Sequence, residues 1–214
     1  MRIRTYKGFS DAYPERVSGS SLWFYSQVTS CSEAGEVPDF EGKYEGTRLY
    51  LFHLDGRVFE PFKQERNVFL ERPVYYPEKE CFAIIRYDFK NEVVEGYSYS
   101  PLKEELILLC SFPMSELGDL INIRFVKEKF TLVKHEIHED AVEILWPYKR
   151  RYQFLPNESL DTICEDKLIT SRWIEDPDYR EEVIFRDRES GEILNRSKGY
   201  LVEMPDGDYW LMTE

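Results

Sequence analysis

The chain is poor in the residues that most often do chemistry. It has three histidines, four methionines and four cysteines in 214 residues. The cysteines (Cys31, Cys81, Cys110, Cys164) stand 50, 29 and 54 positions apart with no C-x-x-C pair, which excludes zinc-ribbon and thioredoxin spacing. Cys81 and Cys110 lie in apolar runs and read as small hydrophobes, whereas Cys31, in Thr29-Ser30-Cys31-Ser32, is expected to be the most exposed thiol. None has a helix start or basic neighbours to activate it. No G-x-S-x-G elbow, P-loop or G-x-G-x-x-G is present. No apolar run approaches the roughly 18 residues that a spanning helix needs. The longest, Cys81 to Ile85 and Leu106 to Cys110, have strand length. The opening Met1-Arg2-Ile3-Arg4-Thr5-Tyr6-Lys7 is charged and carries no signal-like apolar stretch, so the cytoplasm is the expected compartment. Positive charge is also short: 28 Lys+Arg against 41 Asp+Glu leaves −13. That field repels nucleic acid and permits partners with basic surfaces. The compact basic cluster Lys149-Arg150-Arg151 reads as a strand end or turn.

Aromatic residues are plentiful, with 15 Tyr, 14 Phe and 4 Trp, and the hydrophobic share of 42% argues for a packed core rather than disorder. The length fits a single domain over 1–214, with a possible seam near 156–166. Short β-branched or aromatic runs closed by turn signals recur along the whole chain, and they predict an all-β antiparallel fold of about seventeen strands. Loops of two to six residues join antiparallel neighbours, whereas parallel crossovers need about a dozen or more. Asp55-Gly56 between Arg48 to Leu54 and Arg57 to Phe62 predicts a two-residue type I′ hairpin. In that register Phe52 faces Phe59, and both ribbon faces carry apolar side chains, so both should be covered. Helix signals are few: Pro156 to Glu165, capped by Asn157, and one turn in Pro113 to Asp119.

Four segments share a strand–proline–polar–strand pattern, turning at Pro77, Pro101, Pro147 and Pro205. Propeller blades often carry such turns and repeat at ~40–45 residues. The proline intervals are 24, 46 and 58, so the middle one suits a blade. A propeller-like set of small sheets is favoured, with a β-sandwich or a barrel as alternatives.

Candidate functional residues are weakly marked. His135 and His138 give an H-x-x-H within an acidic stretch, but residues three apart on a strand face opposite ways, so a solvated hairpin end is preferred to a metal site. His53 shares a ribbon face with Leu51 and reads as packed. The acidic run Glu175-Asp176-Pro177-Asp178 lacks the ligand spacing of a calcium loop. Exposed Tyr and Trp suit sugar stacking or protein interfaces, which nominates Trp23, Tyr25, Trp146 and Trp210 beside His135 and His138 as binding residues. Catalytic residues are not identified, and no metal or cofactor is expected. The sequence favours a non-catalytic binding module for a protein partner, possible partners being a basic protein or a small-molecule ligand. The alternative is an enzyme or small-molecule binder, carbohydrate among the options, with a pocket of aromatics and carboxylates.

Overall fold

The computed structural model describes residues 3–127 and 130–213. Among these residues there are 19 strands, all paired antiparallel, in five sheets. The first sheet runs in chain order through β1 (Glu15–Arg16), β2 (Trp23–Val28), β3 (Arg48–His53) and β4 (Val58–Phe59). In the second, β5 (Val68–Leu70) and β6 (Val74–Tyr76) both pair with β7 (Cys81–Asp88), followed by β8 (Val93–Ser100) and β9 (Glu105–Pro113). The one α-helical turn, α1 (Met114–Leu117), follows where a turn was expected. The third sheet is β10 (Ile123–Val126), β11 (Thr131–Glu136), β12 (Ala141–Trp146) and β13 (Arg150–Gln153). The fourth is β14 (Glu158–Cys164), β15 (Lys167–Ile174), β16 (Arg180–Asp187) and β17 (Ile193–Lys198). A hairpin of β18 (Tyr200–Glu203) and β19 (Tyr209–Met212) forms the fifth. The first, third and fourth sheets are consecutive meanders, β5 and β6 of the second share one edge of β7, and among the described residues none of the sheets closes on itself. Among the described residues no helix is long and apolar enough to cross a membrane.

The chain divides into two compact units, Met1–Leu120 and Ile121–Glu214. Residues 156–166, the stretch marked as a possible seam, lie inside the second and are mostly β14.

Strand alternation builds the core of the first unit. Trp23 and Tyr25 of β2 share a face with Leu49 and Leu51 of β3, and that face packs on Val68, Leu70, Phe82 and Ile84. The opposite face carries Phe24, Tyr50 and Phe52, and the rings of Tyr6 and Phe9 cover Phe52 at 5.4 and 5.6 Å. Both faces are therefore dry, as the apolar pattern required, and each large buried side chain contributes roughly 1.5–3 kcal/mol. In the second unit Val133, Val142 and Ile144 pack on Leu160, Ile163 and Leu168.

Several expectations need correction. The Asp55-Gly56 hairpin slips by one residue: Leu51 pairs with Phe59, and Phe52 with Val58. The His53 amide donates to the Arg57 carbonyl, leaving the three-residue loop Leu54-Asp55-Gly56 with Gly56 at φ 105°. Asp55 keeps a negative φ and spends its carboxylate on the Arg57 amide and guanidinium, so the type I′ turn is not needed. A one-residue slip moves Phe59 onto the Leu51 face, where it packs on the core. Residues 156–165 form no helix. Asn157 sits at φ 62° in a tight turn and β14 follows it, because Leu160, Thr162 and Ile163 have more to bury in a sheet than along a helix. The run Val68 to Tyr76 splits at Pro73, which lacks the ladder N–H. Cys31 is buried at 7% exposure and Cys164 is the exposed thiol.

Three members of the proline repeat resolve into two kinds of turn, whereas Pro147 follows Trp146 through a cis peptide bond and belongs to neither. Tyr76 to Glu80 and Ser100 to Glu104 are the same structure: Pro opens a 3-10 turn, and a glutamate at φ 49° or 52° donates its amide to the proline carbonyl. Ile137–Glu139 followed by Asp140 at φ 46° is a third copy without proline. The turn at Pro205 instead matches the Leu54-Asp55-Gly56 loop. The Met204 amide donates to the Asp208 carbonyl, Gly207 has φ 96°, and Asp206 accepts from the Asp208 amide.

Candidate functional site

The six nominated residues do not meet in one place. Trp23 is 4% exposed and wedged against His53, Phe59 and Phe82 at ring distances of 4.6, 5.6 and 5.4 Å. Tyr25 is buried beside it, donates its hydroxyl to Glu15 at 2.9 Å, and is pushed up to about 12 by burial and by that carboxylate. Stacking a ligand on either ring would require opening the first unit's core. Trp146 ends β12 half-buried opposite Leu132. His138 lies exposed in the third copy of the 3-10 turn, while His135 belongs to β11 and bonds the Glu158 carbonyl. Among the described residues no group of three His, Cys, Asp or Glu converges on a point where a metal ion could be held. Trp210 is 55% exposed on β19.

The Lys149-Arg150-Arg151 cluster is internally engaged. Lys149 pairs with Glu143, Arg151 with Glu139, and Arg150 donates to the carbonyls of Arg188 and Glu189. Its charge is spent on the protein itself.

Two surfaces stand out instead. The first is β9, the last strand of its sheet, whose outer backbone edge is unpaired within that sheet. Leu106, Ile107 and Leu108 are 39%, 47% and 51% exposed, and Leu102 in the preceding turn is 48% exposed. Long apolar edge strands are normally shortened or charged because they invite pairing with another chain. The second is the β18–β19 hairpin. Its inner face is fixed by Tyr209, which lies near Asp161 and Arg124 and bonds Thr162. The other face presents Tyr200, Val202, Trp210 and Met212, and three of these are exposed by 42% or more.

A polar cluster lies in the second unit. Four strands carry an extra residue at a register shift: Leu109 in β9, Leu145 in β12, Asp161 in β14 and Leu194 in β17. Three are leucines, and the aspartate is the odd member. Bulges re-aim side chains and concentrate beside functional sites. Here the Ser171 hydroxyl donates to Asp161 at 2.5 Å. Burial raises the Asp161 carboxyl above its usual range, and neither this bond nor the nearby Arg124 cancels it. Arg124 donates to the Leu160 carbonyl. His135 is held below its ordinary value by burial and by the same Arg124, and burial together with Glu203 raises Tyr209. A protonatable carboxyl, an imidazole kept neutral, a hydroxyl and a guanidinium can together donate and accept hydrogen bonds to a polar ligand. Sequence reasoning missed this cluster because it assigned Asp161 to a helix. The β-branched Thr162-Ile163 that follows was the available signal.

No family model and no curated protein matches the chain. Solved structures do resemble it. The β-propeller domain of the Trilobed protease from Pyrococcus furiosus, described as having an open velcro topology, superposes with a TM-score of 0.53 at 13% identity, covering 91% of this chain and 60% of its own. An acylaminoacyl peptidase from Pyrococcus horikoshii gives 0.51 at 12% identity, covering 92% of this chain and 34% of its own. The chain thus spans 60% of the first structure's length and about a third of the second's. At such identities the likeness establishes the fold: an all-β, antiparallel, propeller-like succession of small sheets.

Proposed function

We propose that this chain is a non-catalytic binding module for a protein partner, acting in the cytoplasm and favouring a partner with a basic surface. The observation that carries the reading is the exposed aliphatic edge of β9, set in a chain of which 32% is charged. An unpaired edge offers backbone donors and acceptors, and its alternate side chains offer grip, which is how extended segments add to sheets. The propeller-like fold supports the reading, since stable β scaffolds commonly bind through edges and loops while their cores only hold shape. The charge of −13 supports the basic character of the partner. A photo-crosslinking residue placed at Ile107 tests it in extract from the source cells. Protein adducts that vanish when Leu106 and Leu108 become lysine are expected. Adducts equally frequent from an exposed control position such as Lys43 would refute it.

A second reading rests on the Asp161 cluster: a small polar ligand, carbohydrate included, held by Asp161, Ser171, Arg124, His135 and Tyr209. A thermal-shift screen of sugars and metabolites tests this, because a ligand of the folded state raises the melting temperature. The shift is expected to disappear in Asp161→Ala. No shift from any compound, or one that survives that substitution, dismisses it.

A further inference from the structure

The hairpin from Gly199 to Thr213 contains no lysine or arginine and carries Glu203, Asp206 and Asp208. Its turn has a twin in the first unit, and the comparison is informative. Both loops are X-Asp-Gly, both close through the same pair of backbone bonds, and in both the aspartate caps the amide two residues on. In Leu54-Asp55-Gly56 the next residue is Arg57, which pairs with Asp55 at 2.6 Å. In Pro205-Asp206-Gly207 the next residue is Asp208, a second carboxylate where its twin supplies the cation. Among the described residues neither Asp206 nor Asp208 has an ion-pair partner, whereas Glu203 is taken by Lys127. The tip is therefore two negative charges with no cation of their own, next to a face that exposes two aromatic rings and a methionine.

The register places Tyr200 opposite Met212 and Val202 opposite Trp210, all on one face. On the other face Lys127 lies 5.9 Å over the Tyr209 ring, and Tyr209 reaches toward Thr162. Aromatic faces attract cations, Trp most strongly, and a thioether adapts to irregular apolar side chains. Carboxylates beside such a face select positive charge and reject negative.

We propose that the Tyr200–Val202–Trp210–Met212 face docks an extended segment of a partner protein in which arginine or lysine alternates with aliphatic residues. The aliphatic side chains lie on Val202 and Met212, one cation stacks on Trp210, and another meets Asp206 and Asp208. This rests on the interaction-module reading and adds a second surface, apart from the β9 edge, and the kind of segment it binds.

The test uses the full chain and a fluorescently labelled peptide of alternating Arg and Leu, with a Glu-Leu peptide as control. Saturable binding of the Arg-Leu peptide is expected, weakening as salt rises. Trp210→Ala and Tyr200→Ala should each cost roughly ten-fold in affinity. The pair Asp206→Asn with Asp208→Asn, at an exposed turn, should weaken binding and flatten its salt dependence, whereas Asp55→Asn in the twin turn should change nothing. If Trp210→Ala disturbs the circular-dichroism melt, Trp210→Phe and the turn pair decide. Unaltered affinity in the turn pair, equal binding of the Glu-Leu peptide, or dimers in sedimentation that Trp210→Ala abolishes would overturn the proposal. Peptide binding lost while Ile107 adducts persist sinks this face alone. Peptide binding kept while no protein adduct forms at either surface sinks the module reading.

Discussion

The two units hold their sheets together by different means. In the first, the core between sheets mixes rings with aliphatics: Trp23, Tyr25, Phe82 and Tyr99 lie among Val17, Leu49, Leu51, Val68, Leu70 and Ile84, with Phe59, Phe62 and Tyr75 packed against them. In the second, the equivalent cluster is mainly aliphatic, with Tyr152 and Phe154 its aromatic members. Beside it lies a buried ion pair. Glu158 of β14 and Arg186 of β16 meet through two hydrogen bonds of 2.7 Å with side chains 0% and 6% exposed. Thr170 donates to the same carboxylate at 2.5 Å, the Leu155 amide at 2.9 Å, and Arg186 stacks 5.2 Å over Phe154. The first unit's nearest counterpart, Arg86 with Asp88 and Glu95, is wetter: Arg86 is 11% exposed and Glu95 16%. Apolar rings adhere wherever area is available, whereas a buried charge pair accepts one geometry. The second unit should therefore fail abruptly when that pair is broken, and the first should fail in proportion to the area removed.

The largest effect should follow Arg186→Met. It strands the Glu158 carboxylate in the core, which costs about 3–5 kcal/mol. Hydrogen exchange read by peptide should show β14 to β17 losing protection while β2, β3 and β7 keep theirs. Equal loss in both units would erase the contrast. Changing both Glu158 and Arg186 to methionine should cost distinctly less than Arg186→Met alone, because no orphan charge remains. Next comes Trp23→Leu in the first unit, at about 2–3 kcal/mol from lost ring area and the Phe59 and Phe82 contacts. Denaturant unfolding measures it, and protection in β14 to β17 should not change.

The acid response sharpens the same contrast. Burial alone would raise the Glu158 carboxyl, but Arg186, Thr170 and the Leu155 amide outweigh it and hold it below its usual range. A depressed carboxyl contributes stability present above the unfolded-state pKa and lost as pH falls through the folded one. Unfolding of β14 to β17 should thus become easier below about pH 4.5, near the ordinary Glu value. Glu158→Gln should flatten that dependence. Stability titrated with urea across this range, with exchange reporting each unit, checks it.

How far the sequence disclosed these features depended on the range of the cause. Alternation and turn residues are local, so the antiparallel strands and most of their limits were readable from Arg48 to His53 or Val93 to Ser100 alone. The Asp55-Gly56 register was not, because the Asp55 carboxylate caps the amide two residues on, a bond that recurs at Asp206 and goes with a three-residue loop in both places. Asn157 was misread for a related reason: a residue suited to capping a helix is equally suited to a left-handed turn, and only burial of the following strand decides. The Glu158–Arg186 pair joins residues 28 apart, and nothing in either neighbourhood names the partner. Trp23 and Trp210 look alike as letters. One is core and the other surface because of what their strands face.

The smallest effect concerns Asp161, and its sign is opposite to that of Glu158. Burial raises this carboxyl despite Ser171 and Arg124. A raised folded-state value means its contribution is fully present below the unfolded pKa and is lost as pH rises through the folded one. At neutral pH the ionised group is therefore a burden on the second unit, which another side chain could lift. Asp161→Asn keeps an acceptor for the Ser171 hydroxyl and removes the charge, so it should stabilise the protein slightly at pH 7 and remove the decline above about pH 4. Thermal melts across pH measure both. The same variant thus weighs the two functional readings. If Asp161→Asn is more stable and also abolishes a ligand-induced shift, the second unit holds a small-molecule site at Asp161. If it is more stable and Arg-Leu peptide binding is untouched, the carboxylates that matter are those at the hairpin tip.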